Sequence, residues 1–143
     1  MEYNLQRFIK AQDDYGTYDR ALSEVEFGRK TSHWIWYIFP QIKGLGHSHN
    51  SNYYALQSLL EAVRYLDDPV LGSRLREITV AVLEHRDKDI EDIMGSRLDA
   101  VKFRSSMTLF DLVSPDDIFA EAIDTFFSGK RDSRTIAAIQ LCS

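Results

Sequence analysis

Apolar positions along this chain recur mostly at the three- and four-residue spacing of an α-helix and seldom at the alternation of a strand. Leu5, Phe8 and Ile9 follow Asn4, a good N-cap, and predict a short helix to about Gln12, broken by Asp13, Asp14 and Gly16. From about Thr17 the stripe continues through Tyr18, Leu22, Val25 and Phe27, with Gly28 placed to end it ahead of Arg29 and Lys30. Ala55, Leu56, Leu59, Leu60, Val63 and Leu66 form one face of a helix expected to start at Asn50 or Ser51 and to end at Asp67 or Asp68. Asp68 and Pro69 then read as the N-cap and first position of a helix carrying Leu71, Leu75, Ile78 and Val82. A short helix over 88–94 closed by Gly95 and a longer one over 97–113 come next. Ser114 and Pro115 start another that ends at Gly129, and Asp132 or Ser133 starts the last.

Two stretches depart from this rhythm. "SHWIWYIFPQ", residues 32–41, is apolar on every side, with Ser32 as a cap and Pro40 as a stop, and predicts a buried helix. A short buried strand is the rival, disfavoured because no partner strand with turn chemistry occurs elsewhere. "QIKGLGHSHNS", residues 41–51, is the best loop in the chain. Seven or eight short helices with short connections predict an all-α, single compact domain over residues 1–143, its helices packed as irregular, near-orthogonal crossing pairs.

Composition narrows the function classes. With 44% hydrophobic and 27% charged residues the chain sits in the ordinary globular range. A net charge of -5 argues against nucleic acid or an anionic membrane as the main partner, because both are bound through excess Lys and Arg. The acidic start and the lack of an apolar run near ~20 residues predict neither a secretory signal nor a membrane span, and a cytoplasmic protein is expected. Cys142 is the one cysteine, so no intrachain disulfide or multi-cysteine metal site can form. His47 and His49 stand two apart in a loop without a third ligand, and neither a metal nor a cofactor is expected. "GLG" at 44–46 lacks the strand-loop-helix setting of a nucleotide fingerprint, and His85 near a helix end needs only a charge-dipole role.

Candidate chemistry gathers in two segments. On the 97–113 helix Arg104, Thr108 and Asp111 share a polar edge, while Lys102, Ser105 and Ser106 fall inside the apolar arc. A buried ammonium is costly unless paired, so these three residues read as the polar wall of a pocket. The plainer reading is a lysine bending out to water and two serines bonded to carbonyls one turn back. Trp34, Trp36 and Phe39 could stack a flat ring or simply fill the core. His33 could serve as acid, base or phosphate contact, or as a cap.

"RALSEVEFGRKTSHWIWYIFPQIKGLG", "YALQSLLEAVRYLDDPVLGSRLRE", "DAVKFRSSMTLF" and "GKRDSRT" together resemble a bacterial family, the domain of unknown function 1810, grouped as Rv1873-like all-α proteins. The resemblance covers almost the whole chain and implies the fold; the family brings no established activity. Its two motifs match His33, Trp34, Trp36, Ile38, Phe39, Pro40 and Gln41, and Lys102 with Arg104 through Phe110. "VKFRSSMTLF" is also loosely similar to the Lys-Phe helix of the NADAR family, whose members act on N-glycosidic bonds of ADP-ribose-type or riboflavin-pathway compounds.

The resulting expectation is a pocket for a phosphorylated ribosyl or nucleotide-like small molecule, with cleavage of its N-glycosidic bond as the associated chemistry. Trp34 or Trp36 would stack the ring and Lys102, Arg104 and Ser105 would hold anionic oxygens, with His33, Gln41 and Ser106 nearby. Asp99 and Glu61 are equal candidates for the carboxylate that such cleavage needs. The alternative is a non-enzymatic helical module whose acidic surface meets another protein.

Overall fold

The computed structural model describes residues 3–142. Its α-helical segments are α1 (Gln6–Asp13), α2 (Thr17–Phe27), α3 (Ile35–Ile38), α4 (His49–Tyr53), α5 (Leu59–Asp67), α6 (Leu71–Leu83), α7 (Ile90–Met94), α8 (Arg97–Val113), α9 (Ile118–Phe127) and α10 (Ser133–Leu141). The fold is all-α: among the described residues no strand forms, and one isolated parallel bridge joins Ile42 to Leu56. No helix among them is long and apolar enough to cross a membrane.

The longest helix, α8, is the axis of the molecule, and α3, α5, α7, α9 and α10 all pack on it. It can touch so many neighbours because Ala100, Phe103, Met107, Leu109 and Phe110 are buried around much of its circumference. Large aromatic side chains join these helices. Phe39 meets Phe103 edge-on at 4.9 Å, and Phe8, Tyr65, Phe110 and Phe119 follow one another at 5.1, 5.6 and 5.7 Å. Offset and edge-on contacts of this kind add to the gain from burial alone.

Local sequence signals place several boundaries. Gly28 at φ 98° and Gly95 at φ 82° end α2 and α7 in the left-handed conformation that glycine adopts at low cost. Ser96 caps α8 by accepting from the Asp99 N–H, and Asp132 caps α10 through the Thr135 N–H.

Three expectations need correction. The aromatic run is helical only over Ile35–Ile38, and Ser32 does not cap it, because its hydroxyl and N–H are both spent on the Glu24 carboxylate. The helix expected over 50–68 is two helices, α4 capped by Ser48 and α5 capped by Ser58. Between them the chain runs extended, with the Leu56 N–H donating to the Gln41 carbonyl and the Lys43 N–H to the Leu56 carbonyl. Leu56 is thereby fully buried without a helix, and Arg7 holds the same stretch by donating to the carbonyls of Tyr53 and Ala55. Finally, α9 begins at Ile118 with Asp117 as its cap, while Ser114 serves that cap by donating to Asp117. Asp68 does act at the start of α6, accepting from the N–H groups of Val70 and Leu71, although the helix proper begins at Leu71.

Candidate functional site

The linker from α2 to α3 is held by one carboxylate. Glu24 accepts from the N–H of Thr31 (2.7 Å), the N–H and hydroxyl of Ser32 (2.9 and 2.6 Å) and the indole N–H of Trp34 (3.0 Å). Burial works against the charged form, but the Ser32 hydroxyl, the two backbone donors and the indole outweigh it and hold the Glu24 carboxyl down at about 2. The linker is also pinned from the far side, where the Lys30 N–H donates to the Ile93 carbonyl at 2.7 Å. The α7–α8 turn can come this close because residue 95 is glycine: a Cβ there would stand 2.5 Å from the Lys30 carbonyl oxygen.

Between linker and turn lies a cleft of about 190 Å³, walled by Lys30, Ser32, His33, Met94, Ser96 and Asp99 among others. Asp99, in the first turn of α8, faces two ammonium groups. Its Oδ2 lies 2.7 Å from Lys30 Nζ and its Oδ1 3.8 Å from Lys102 Nζ. Each ammonium also stands near an indole, Lys30 at 5.0 Å from the Trp34 ring centre and Lys102 at 5.2 Å from that of Trp36. Tryptophan, lysine, aspartate, lysine and tryptophan therefore form one continuous row from the core to the cleft and along α8.

Two polar atoms of the aromatic run and of α8 are without partners. Among the described residues, Trp36 Nε1 and Ser106 Oγ are the buried side-chain atoms that make no hydrogen bond. Ser106 follows Lys102 by one helical turn, on the same face of α8.

The sequence-derived candidates thus divide. His33 is exposed on the cleft wall, while Trp36 and Lys102, both half-buried, continue the row beyond Asp99 and, like the fully buried Ser106, lie outside the cleft's lining. Trp34 is fully enclosed with its indole N–H committed to Glu24, so no ligand ring can stack on it. Arg104 turns away, donating to the carbonyls of Lys130 and Arg131 and covering the Phe127 ring. Ser105 also turns away, its hydroxyl reaching the Val101 carbonyl and Asp132. Gln41 is not among the residues lining the cleft, and its carbonyl serves the Leu56 N–H. Of the two carboxylates, Asp99 lines the cleft, whereas Glu61 is buried in an ion pair with Arg7 at 2.9 Å.

Lys30 and Glu24 were missed by sequence reasoning. A lysine after a helix-ending glycine reads as a surface cation, and nothing local marks its partner on α8. His49 stacks on the Tyr53 ring, and no group of three or more His, Cys, Asp or Glu able to hold a metal occurs among the described residues. A second cavity of about 480 Å³ lies between the 43–44 loop, Gln57 and the end of α10, bordered by Cys142, and none of the candidates lines it.

Fold and site together define an all-α protein built around one long helix, with a polar cleft at that helix's N-terminal end. The chain belongs to the family described as "Protein of unknown function (DUF1810)", whose model matches residues 2–139. It is similar to the conserved hypothetical protein Rv1873 from Mycobacterium tuberculosis, whose crystal structure superposes with a TM-score of 0.90 at 37% identity over 96% of this chain and 97% of that one. No curated protein matches.

Proposed function

We propose that the protein binds a small phosphorylated ribosyl or nucleotide-like compound at the cleft between the α2–α3 linker and the α7–α8 turn. The observation that carries this reading is the charge pattern of the cleft wall, where Asp99 faces Lys30 at 2.7 Å and Lys102 at 3.8 Å beside His33 and Ser96. An ammonium, an imidazole and a hydroxyl form a set suited to the oxygens of a phosphate or a sugar.

Size limits the ligand. A cleft of about 190 Å³ takes a phosphate or a ribose phosphate, not a whole dinucleotide, so any base would rest on the rim near His33. In this reading Asp99, on the cleft wall, is the carboxylate that would serve N-glycosidic cleavage, and Trp36, its ring set against Lys102 outside the cleft's lining, does not stack the ligand. Arg104 and Ser105 fall outside the site. The rival reading, a helical interaction module, draws support from the complete burial of Trp34 and from those internal bonds of Arg104 and Ser105.

A thermal-shift screen with ribose 5-phosphate, mononucleotides, ADP-ribose, NAD and flavin precursors, run on the wild type and Lys102→Met, tests the choice. A ligand at about 100 times its Kd adds roughly 2.7 kcal/mol and raises the melting point by several degrees. A shift in the wild type that disappears in Lys102→Met supports the cleft. No shift with any compound removes the small-molecule reading and leaves the interaction module.

A further inference from the structure

The two lysines facing Asp99 are not equivalent. Lys30 Nζ sits at hydrogen-bonding distance, 2.7 Å, with its side chain only 6% exposed, and its backbone is fixed to Ile93. Lys102 Nζ stands at 3.8 Å, beyond a good hydrogen bond, with its side chain 18% exposed. Lys102 lies three residues from Asp99 on the same helix, so its ammonium can leave the carboxylate by side-chain rotation alone. In the opposite direction, one turn along α8, is the unpartnered Ser106 hydroxyl, and the Trp36 ring already lies against the ammonium.

The charges at rest are balanced. Lys30 and Lys102 are matched by Asp99 and Glu24, and the Glu24 oxygens are occupied by the linker's own donors. An incoming anion therefore meets no free cation until one lysine exchanges its partner.

Resting on the ligand-binding reading above, we infer that Lys102 is an exchangeable cation and Asp99 its resting counter-ion: an anionic ligand takes Lys102 from Asp99 while Lys30 stays paired. Asp99 then sets the affinity of the cleft by competing with the ligand. One released ammonium matches one negative charge of a phosphoryl group. Asp99 is on this account a positioning and affinity-setting residue, and its removal strengthens anion binding where removal of a ligand contact would weaken it.

The test is calorimetric titration of inorganic phosphate and of ribose 5-phosphate into four proteins: wild type, Asp99→Asn, Lys30→Met/Asp99→Asn and Lys102→Met. The double variant removes the tight pair together, so that Lys30 is not left buried without its carboxylate, and it guards against a merely misfolded single variant. Exchange requires that Asp99→Asn or the double variant bind roughly two to five times tighter than the wild type, the range expected for freeing a partly exposed ion pair, and that Lys102→Met not bind. Binding by the wild type that neither Asp99 variant strengthens overturns the exchange and leaves the cleft reading in place. No binding by any of the four overturns both.

Discussion

Two faces of α8 carry adjacent serines that meet opposite fates. On one face Ser105 reaches Asp132, which also accepts from the N–H and hydroxyl of Thr135, while the Thr108 hydroxyl accepts the Asp132 N–H and donates to the Arg104 carbonyl. The Ser105, Thr108 and Thr135 hydroxyls all have partners inside the protein, and the result is a lock between α8 and α10. On the other face Ser106 is fully buried and unbonded, one turn from a lysine held loosely by Asp99. A bonded polar cluster in the interior does structural work; an unbonded buried hydroxyl contributes nothing to stability and can be removed without loss. One residue of sequence, about 100° of helix, separates the two.

The largest effect should come from breaking the saturated face. Asp132→Ala removes the α10 cap and strands the Thr135 hydroxyl, while Ser105 keeps its bond to the Val101 carbonyl; an expected loss of about 2–4 kcal/mol, read from urea unfolding, leaves ligand affinity unchanged. A smaller loss, full at neutral pH and fading in acid, is expected for Glu24→Gln. Its folded carboxyl sits near 2, below an ordinary value of 4.5. Its contribution is therefore fully present above about pH 4.5 and fades as the pH falls toward 2. Urea midpoints at pH 7, 4.5 and 3 should show a shallower acid decline for Glu24→Gln than for the wild type, and equal slopes would sink this account.

On the unsaturated face the effects on stability shrink while those on binding grow. Lys102→Met removes a loose, partly exposed pair and should change stability by less than about 1 kcal/mol, yet abolish any ligand-induced rise in melting point. Ser106→Ala should be the mildest, neutral or stabilising by up to about 1 kcal/mol because it deletes an unbonded hydroxyl. If Ser106→Ala instead destabilises as strongly as Asp132→Ala, the contrast between the two faces disappears.

Much of the fold was legible in the sequence. Gly28 and Gly95 marked helix ends, the 97–113 boundaries were read correctly, and the placement of Lys102, Ser105 and Ser106 away from solvent followed from helical periodicity. The aromatic run misled. Its composition announced burial, but its conformation is set by Glu24, which draws Ser32 and Trp34 out of any longer helix. Ala55 and Leu56 misled in the same manner, because their apolar spacing suits a helix face equally well as an extended stretch buried by a bridge to Ile42.

The candidate site was half legible. Periodicity told that two serines were buried without telling which had a partner, since that depends on Asp132, supplied by a different helix. Asp99 and Glu61 were indistinguishable as carboxylates until Arg7 claimed Glu61 and Lys30 claimed Asp99.

By itself the sequence determined most of the helices, the glycines that end two of them and the faces they bury, because those follow from side-chain spacing and backbone preference within a turn or two of the chain. Only the tertiary structure decided which carboxylate met which ammonium, and which polar atom was left over. Those pairings depend on where packed helices cross and how closely a glycine such as Gly95 lets two backbones approach, distances that no local pattern encodes.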